Sequence, residues 1–218
     1  MSVIVKPSRA DDPRVLRSRA AAMDAARTLF LRKGHAGTTM EEIAAHAGIT
    51  KRTLYNLFAD KDALFTRIVA EVIAVAGAFA RDLRDEFSAL TTTAQVRTAL
   101  DGLARRLALR VVSPDVVALR RLLIGEASAF PSLAEEYFDR APRQVIEALA
   151  DGFALLARRK LLRVPSPRRA ASQFAYLAVG ELLDRAMLVG STPSRAQVLA
   201  WARDGVETFM ARYGVRRS

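Results

Sequence analysis

The sequence predicts an all-helical fold, and three of its features carry that prediction. A capping residue followed by proline marks a helix start, and the pair occurs at Asp12-Pro13, Ser113-Pro114, Ser166-Pro167 and Thr192-Pro193. Alanine and leucine recur at helical spacing along most of the chain. No stretch sustains the period-two alternation of a half-buried strand, so no strand is assigned. With 218 residues, 51% of them apolar, the chain has room for one large or two small domains with a substantial core. About nine helices fit between its breaks.

Residues 1–11 are polar and irregular and read as a mobile tail. The first helix runs from the Asp12-Pro13 start to about Lys33, with Ala22, Ala25, Ala26, Leu29 and Phe30 along one side, and Gly34 ends it. Thr39 then caps a second, short helix, with Glu42 three residues on, where a capping box needs its carboxylate. Ile43, Ala44 and Ala47 give that helix a narrow apolar face, and Gly48 supplies the positive φ of a helix stop. Ile49 plugs the space between the helices and Thr50 caps a third.

The third helix sorts its residues by face. Leu54, Leu57 and Phe58 share the inward side, while Lys51, Arg52, Tyr55 and Asn56 look outward. A short helix with an apolar back and a front of cations, a phenol and an amide suits a major groove. The backbone N–H groups and positive dipole at its start suit phosphate. Residues 38–61 therefore read as a helix-turn-helix whose second helix is the reader.

Gly34, Thr38-Thr39, Ile43-Ala44, Ala47-Gly48-Ile49, Thr53-Leu54-Tyr55, Phe58 and Lys61 together resemble the signature of TetR-type transcriptional regulators, densely from about Arg17 to Leu64. The sequence departs from that pattern at Leu57, where the family often carries histidine, so one phosphate contact is not carried over. The resemblance implies that the first helix approaches the DNA backbone or minor groove near Arg14, Arg17 and Arg19, with Arg17 the preferred contact. It also implies a phosphate contact at Lys61. Lys51 and Arg52 are assigned to base edges or nearby phosphates, arginine favouring guanine when bidentate. Thr38, Thr39, Thr50, Thr53, Tyr55, Asn56 and Lys61 complete the candidate DNA surface, mostly as contacts that set register.

Asp60 caps a fourth helix from Lys61 to about Phe87, with Leu64, Ile68, Val72, Val75 and Phe79 as its expected buried face. The domain boundary is placed inside this helix near residue 65, giving a DNA-binding domain (1–65) and a helical domain (66–218). A fifth helix follows the Thr91-Thr92-Thr93 cluster with Val96, Leu100, Leu103 and Leu107 on one side. The sixth starts at Pro114 and carries Val117, Leu119, Leu122, Leu123 and Ile124 towards Phe130. Pro131, with Ser132 and Glu135 as a capping-box pair, opens a seventh helix expected to reach about Leu162. The connections are short, as antiparallel neighbours require.

The last two helices, about 167–189 and 193–213, are apolar over more of their surface. Ala171, Phe174, Ala175, Ala178, Leu182 and Met187 line one side of the first, and Leu177, Val179, Leu183 and Leu188 extend it. Val198, Trp201, Ala202, Val206, Phe209, Met210 and Tyr213 stripe the second. A four-helix bundle across a two-fold axis satisfies both, and the resembled family dimerises in that way. Phe174, Ala178, Leu182, Trp201, Val206 and Phe209 are the candidate dimer contacts; an intrachain core is the alternative.

Net charge is +11, which favours anionic partners. Residues 1–65 hold eleven Lys or Arg against seven Asp or Glu, so most of the excess lies further on, at Arg105-Arg106, Arg120-Arg121, Arg158-Arg159-Lys160 and Arg216-Arg217. Those clusters read as solvated helix faces, and the motif, not the charge, locates the DNA site. Cysteine is absent, which excludes disulfides, thiolate metal sites and cysteine nucleophiles. Both histidines, His35 and His46, lie in the DNA-binding segment, so a nucleophile with its base or a metal cage lacks the side chains it needs. The eleven glycines are scattered and form no phosphate loop. No cofactor, metal or catalytic residue is therefore assigned. No targeting segment is visible and the longest uncharged runs fall short of the roughly 20 residues of a membrane span, so a soluble cytoplasmic protein is expected.

The resemblance further implies a small-molecule effector in the C-terminal domain. Candidate lining residues are Phe79, Leu103, Leu107, Leu122, Glu126, Phe130, Phe153, Phe174 and Leu177, with Glu126 polar in a mostly apolar run. The same side chains at helical spacing also suit a plain core. The expectation is a homodimeric, ligand-responsive repressor of a palindromic operator. An activator or ligand-independent regulator of the same fold stays open, as does a helical small-molecule carrier with weak DNA affinity.

Overall fold

The computed structural model describes residues 12–215, so the expected tail at 1–11 and the Arg216-Arg217 cluster lie outside the described residues. Their order is α1 (Pro13–Lys33), α2 (Met40–His46), α3 (Lys51–Leu57), α4 (Lys61–Ala89), α5 (Thr93–Val111), α6 (Pro114–Gly125), α7 (Pro131–Phe138), a π-helical turn (Asp139–Arg143), α8 (Gln144–Arg158), α9 (Pro167–Val189) and α10 (Arg195–Tyr213). No strand occurs among them; Leu162 and Gly214 form an isolated antiparallel bridge. The chain packs as two units that divide between Glu71 and Val72, within α4.

Local chemistry explains the helix ends. Asp12 Oδ1 accepts from the Arg14 amide at 2.8 Å, Asp60 Oδ1 from Ala63 at 2.7 Å, and Thr92 closes a capping box with Gln95. Gly34 and Gly48 hold φ of 75° and 66°, the left-handed backbone that their missing Cβ allows. Two starts differ from expectation. α7 begins on Pro131 with Phe130 as its N-cap, so Ser132 lies inside the helix and forms no capping box with Glu135. α10 starts two residues after Pro193, because Ser194 and Gln197 cap each other reciprocally there.

The single helix expected from Pro131 to about Leu162 is interrupted and ends early. Pro142 has no amide hydrogen, and its ring would strike the carbonyl four residues back, so the chain widens into the π-helical turn between α7 and α8. The rod then stops before Leu162: Lys160 takes φ 58°, and the Arg163 amide donates to the Tyr213 carbonyl at 2.8 Å.

In the first unit α1, α2 and α3 pack on one another around Ala22, Ala26, Phe30, Ile43 and Leu54. The opening half of α4 buries Leu64, Phe65, Ile68 and Val69. In the second unit α9 is central, in contact with α5, α6, α8 and α10. Its core is a chain of rings: Phe87 to Phe153 at 5.6 Å, Phe153 to Phe174 at 5.7 Å, Phe174 to Phe209 at 5.2 Å and Phe209 to Tyr213 at 4.8 Å between centroids. Gly205 lets α10 close on α9, since a Cβ there would stand 2.6 Å from the Leu177 carbonyl oxygen.

The buried face of α4 is a correction. Val75 is exposed and Val72 and Phe79 are half-buried, whereas Ile73, Ala80, Leu83 and Phe87 are buried. The buried column continues from Phe65 and Val69 rather than from Leu64 and Ile68, one residue and about 100° around the helix. Both columns are apolar in sequence, so composition did not separate them. α4 is also the single helix among the described residues long and apolar enough to cross a membrane. Part of its apolar surface is buried within its own chain, Leu64 and Phe65 in the first unit and Leu83 and Phe87 in the second.

Candidate nucleic-acid interface

α3 is anchored by one side chain. Leu54 is fully buried beneath it, Phe58 is buried just past its end, and Thr53 and Leu57 are half-buried at its margins. Lys51, Arg52, Tyr55 and Asn56 are exposed on the opposite side. The Tyr55 ring is 45% exposed on that same side. Thr50 caps the helix, its Oγ1 accepting from the Thr53 amide at 3.1 Å and lying 2.8 Å from Thr53 Oγ1. The four outward residues of α3 thus share one exposed face.

The cations on this surface are not equivalent. The Lys51 ammonium contacts the Glu41 carboxylate of α2 and stands 5.7 Å over the Tyr55 ring. That hydrogen bond with Lys51 is the main reason the Glu41 carboxyl is held below its usual range, and Glu41 in turn raises the Lys51 ammonium. Arg52 has no ion-pair partner among the described residues. Lys33 pairs with Glu42 at 2.5 Å, while Glu42 also accepts from the Thr39 amide to complete the α2 capping box. The Lys33 hydrogen bond is the largest cause lowering the Glu42 carboxyl.

Two expected DNA contacts have other uses. Thr38 is buried and its hydroxyl donates to the Gly34 carbonyl at 2.8 Å, which closes the α1–α2 loop and leaves no surface for a phosphate. That assignment is corrected. Lys61 donates its ammonium to the Thr38 carbonyl at 2.9 Å and is half-buried, so it fastens α4 to the same loop. Thr39 is exposed at the start of α2, and Arg17 is exposed on α1, its Nε donating to the Pro13 carbonyl at 3.2 Å.

His35 is a packing residue of the loop between α1 and α2. It is buried between Phe30 and Phe65, each 5.3 Å away by ring centroid, with Nε2 3.1 Å from Asp62 Oδ1 at the start of α4. No spacing pattern in the sequence marks it, since its loop neighbours Ala36 and Gly37 are exposed.

In the second unit, Leu103, Leu107, Phe153 and Phe174 are buried in the core, while Phe79, Leu122, Glu126, Phe130 and Leu177 are half-buried. An open cleft between α4 and the π-helical turn is lined by Ile73, Ala74, Gly77, Arg81, Asp139 and Gln144, and by none of the nine expected effector residues. Of the expected dimer contacts, Phe174, Ala178, Val206 and Phe209 are covered by their own chain, which leaves Leu182 and Trp201 with exposed surface. The physical reason is that α9 and α10 use their small and aromatic residues on each other. Among the described residues no group of three or more His, Asp or Glu stands close enough to hold a metal ion.

Comparison with known proteins follows this division. Residues 22–68 match the profile of the bacterial regulatory proteins of the tetR family, and residues 98–215 match that of the AefR-like transcriptional repressor C-terminal domain. A TetR-family transcriptional regulator from Mesorhizobium loti MAFF303099 is 30% identical, with a TM-score of 0.80 over 94% of this chain and all of that one. The flavonoid-responsive regulator FrrA is 28% identical, with a TM-score of 0.66 over 92% of this chain and 99% of that one. SmeT, the repressor of the Stenotrophomonas maltophilia multidrug efflux pump SmeDEF, shares the fold at 19% identity, with a TM-score of 0.62 over 90% of each chain. No curated protein matches the sequence.

Proposed function

The chain belongs to the TetR family of transcriptional regulators, and from that premise we propose that it is a ligand-responsive repressor that binds a palindromic operator as a homodimer. The observation that carries the reading is the exposed face of α3, where Lys51, Arg52, Tyr55 and Asn56 stand together over a single buried anchor. Arginine and lysine pair with guanine O6 and N7 in the major groove, and asparagine with adenine. Thr39, Thr50, Thr53 and Arg17 supply positioning contacts around them.

Two copies place the α3 helices about 34–36 Å apart, one turn of the duplex. The surface for the partner copy is built on α9 and α10 from Leu182 and Trp201, extended by the exposed Tyr176, Leu188 and Val189. The effector is an apolar small molecule received among the C-terminal helices, near Phe79, Leu122, Glu126, Phe130 and Leu177, with Leu103, Leu107, Phe153 and Phe174 behind them. FrrA, at 28% identity, is flavonoid-responsive, which supports a small aromatic effector. The ligand acts by favouring the conformation that releases DNA. The protein works in the cytoplasm, where its DNA is.

A salt-dependent gel shift on a duplex taken from upstream of its own gene tests the reading. Tight, sequence-selective retardation that a flavonoid relieves supports it. Weak retardation of any duplex alike contradicts it.

A further inference from the structure

We propose that Glu41 is a specificity-determining residue of the reading surface, an acid that lowers affinity for arbitrary DNA and is compensated on the operator. The proposal rests on the assignment of α3 as the DNA reader. Glu41 is the second residue of α2, its side chain is 56% exposed, and its carboxylate contacts the ammonium of Lys51 on α3. Its neighbour Glu42 is committed to the Thr39 capping box and to Lys33, so of the two acids only Glu41 is directed at a residue of the reading face. A negative charge therefore stands beside the outward row of Lys51, Arg52, Tyr55 and Asn56.

The consequence follows from what drives each kind of binding. Affinity for arbitrary duplex comes from cations that displace counterions from phosphate, and each contributes about 0.9 to the slope of log K against log salt. Lys51 and Glu41 together carry no net charge, so the pair adds little to that term. Bringing the carboxylate near the backbone also costs Coulomb energy on every sequence. In a major groove the same carboxylate accepts from the N4 amino group of cytosine, a contact available only where the right base pair stands. The acid thus widens the gap between correct and incorrect sequences by weakening the incorrect ones more.

The test uses the full chain, a duplex selected by the wild-type protein from a random pool, and a scrambled duplex of the same length. Fluorescence anisotropy is read over a series of salt concentrations for wild type, Glu41→Gln, Glu41→Asp and Asp24→Asn, the last an exposed acid on α1. The expected result is that Glu41→Gln binds scrambled duplex about three- to tenfold more tightly, with a slope steeper by about 0.9, and loses discrimination. Glu41→Asp keeps the wild-type slope, and Asp24→Asn keeps the ratio of selected to scrambled affinity. An unchanged ratio in Glu41→Gln, or an equal change in Asp24→Asn, overturns the proposal while leaving α3 as the reader. A wild-type protein that selects no sequence from the pool overturns both.

Discussion

The ammonium of Lys61 donates to the backbone carbonyl of Thr38 at 2.9 Å, while the Thr38 hydroxyl donates to Gly34 at 2.8 Å. A cation at the start of α4 thus fastens the loop that precedes the DNA-facing helices. Replacing Lys61 by Ala removes a charge-assisted hydrogen bond from a half-buried site, and we expect a loss of about 1.5–3 kcal/mol of stability in urea unfolding. If Lys61 also touches phosphate, the salt slope falls by about 0.9 and the weakening is alike for all sequences. A lower stability with an unchanged slope assigns it to the loop alone.

His35 fills the space between Phe30 and Phe65 with a ring. His35→Ala leaves a cavity that the two phenylalanines close only in part, and about 2–4 kcal/mol of stability should go with it. Urea unfolding measures this directly. A loss below about 1 kcal/mol would show that the neighbours collapse into the space.

Gly152 on α8 faces the ring of Phe87 so closely that an added Cβ would stand 2.2 Å from Cδ2. Gly152→Ala, normally favourable in a helix, should here cost about 1–3 kcal/mol by forcing Phe87 from its place against Phe153. A lowered thermal midpoint is expected, and a raised one would mean that Phe87 moves freely.

Burial pushes the Tyr137 phenol above its ordinary value of 10.0, against the opposing charge of Arg120. The folded protein then holds this proton more firmly than the unfolded chain does. Its contribution to stability is fully present below the unfolded value and is lost as pH rises from there through the higher folded value. Tyr137→Phe should therefore lose less stability than wild type between about pH 9 and pH 11, as read from urea midpoints. Parallel losses in the two proteins would contradict the burial.

What could be read in the sequence was what neighbouring residues decide. Asp12, Thr39 with Glu42, Gly48, Thr50 and Asp60 act within four residues of themselves, and each takes the place its spacing indicates. The outward set on α3 was legible for the same reason, since Leu54 fixes which side is inside. Thr38 was not: the Gly34 carbonyl that takes its hydroxyl is only four residues back, but the turn that joins them carries no spacing pattern like that of a helix cap. Nor was the Glu41–Lys51 pair, formed across the turn between two helices. Phe174 and Phe209 show the limit most plainly. A helix with apolar residues on several sides needs several neighbours, but the pattern does not say whether those come from the same chain, and here their own chain covers both.

Arg52 stands on the exposed face of α3 without an ion-pair partner among the described residues, so its replacement shows whether that face reads bases. The measurement is the affinity of wild type and Arg52→Ala for the selected duplex and for its single-base variants at one salt concentration. A loss of about 1–3 kcal/mol is expected, with the preference relaxed at one base position in each half-site. Affinity and preference both unchanged in Arg52→Ala would contradict it.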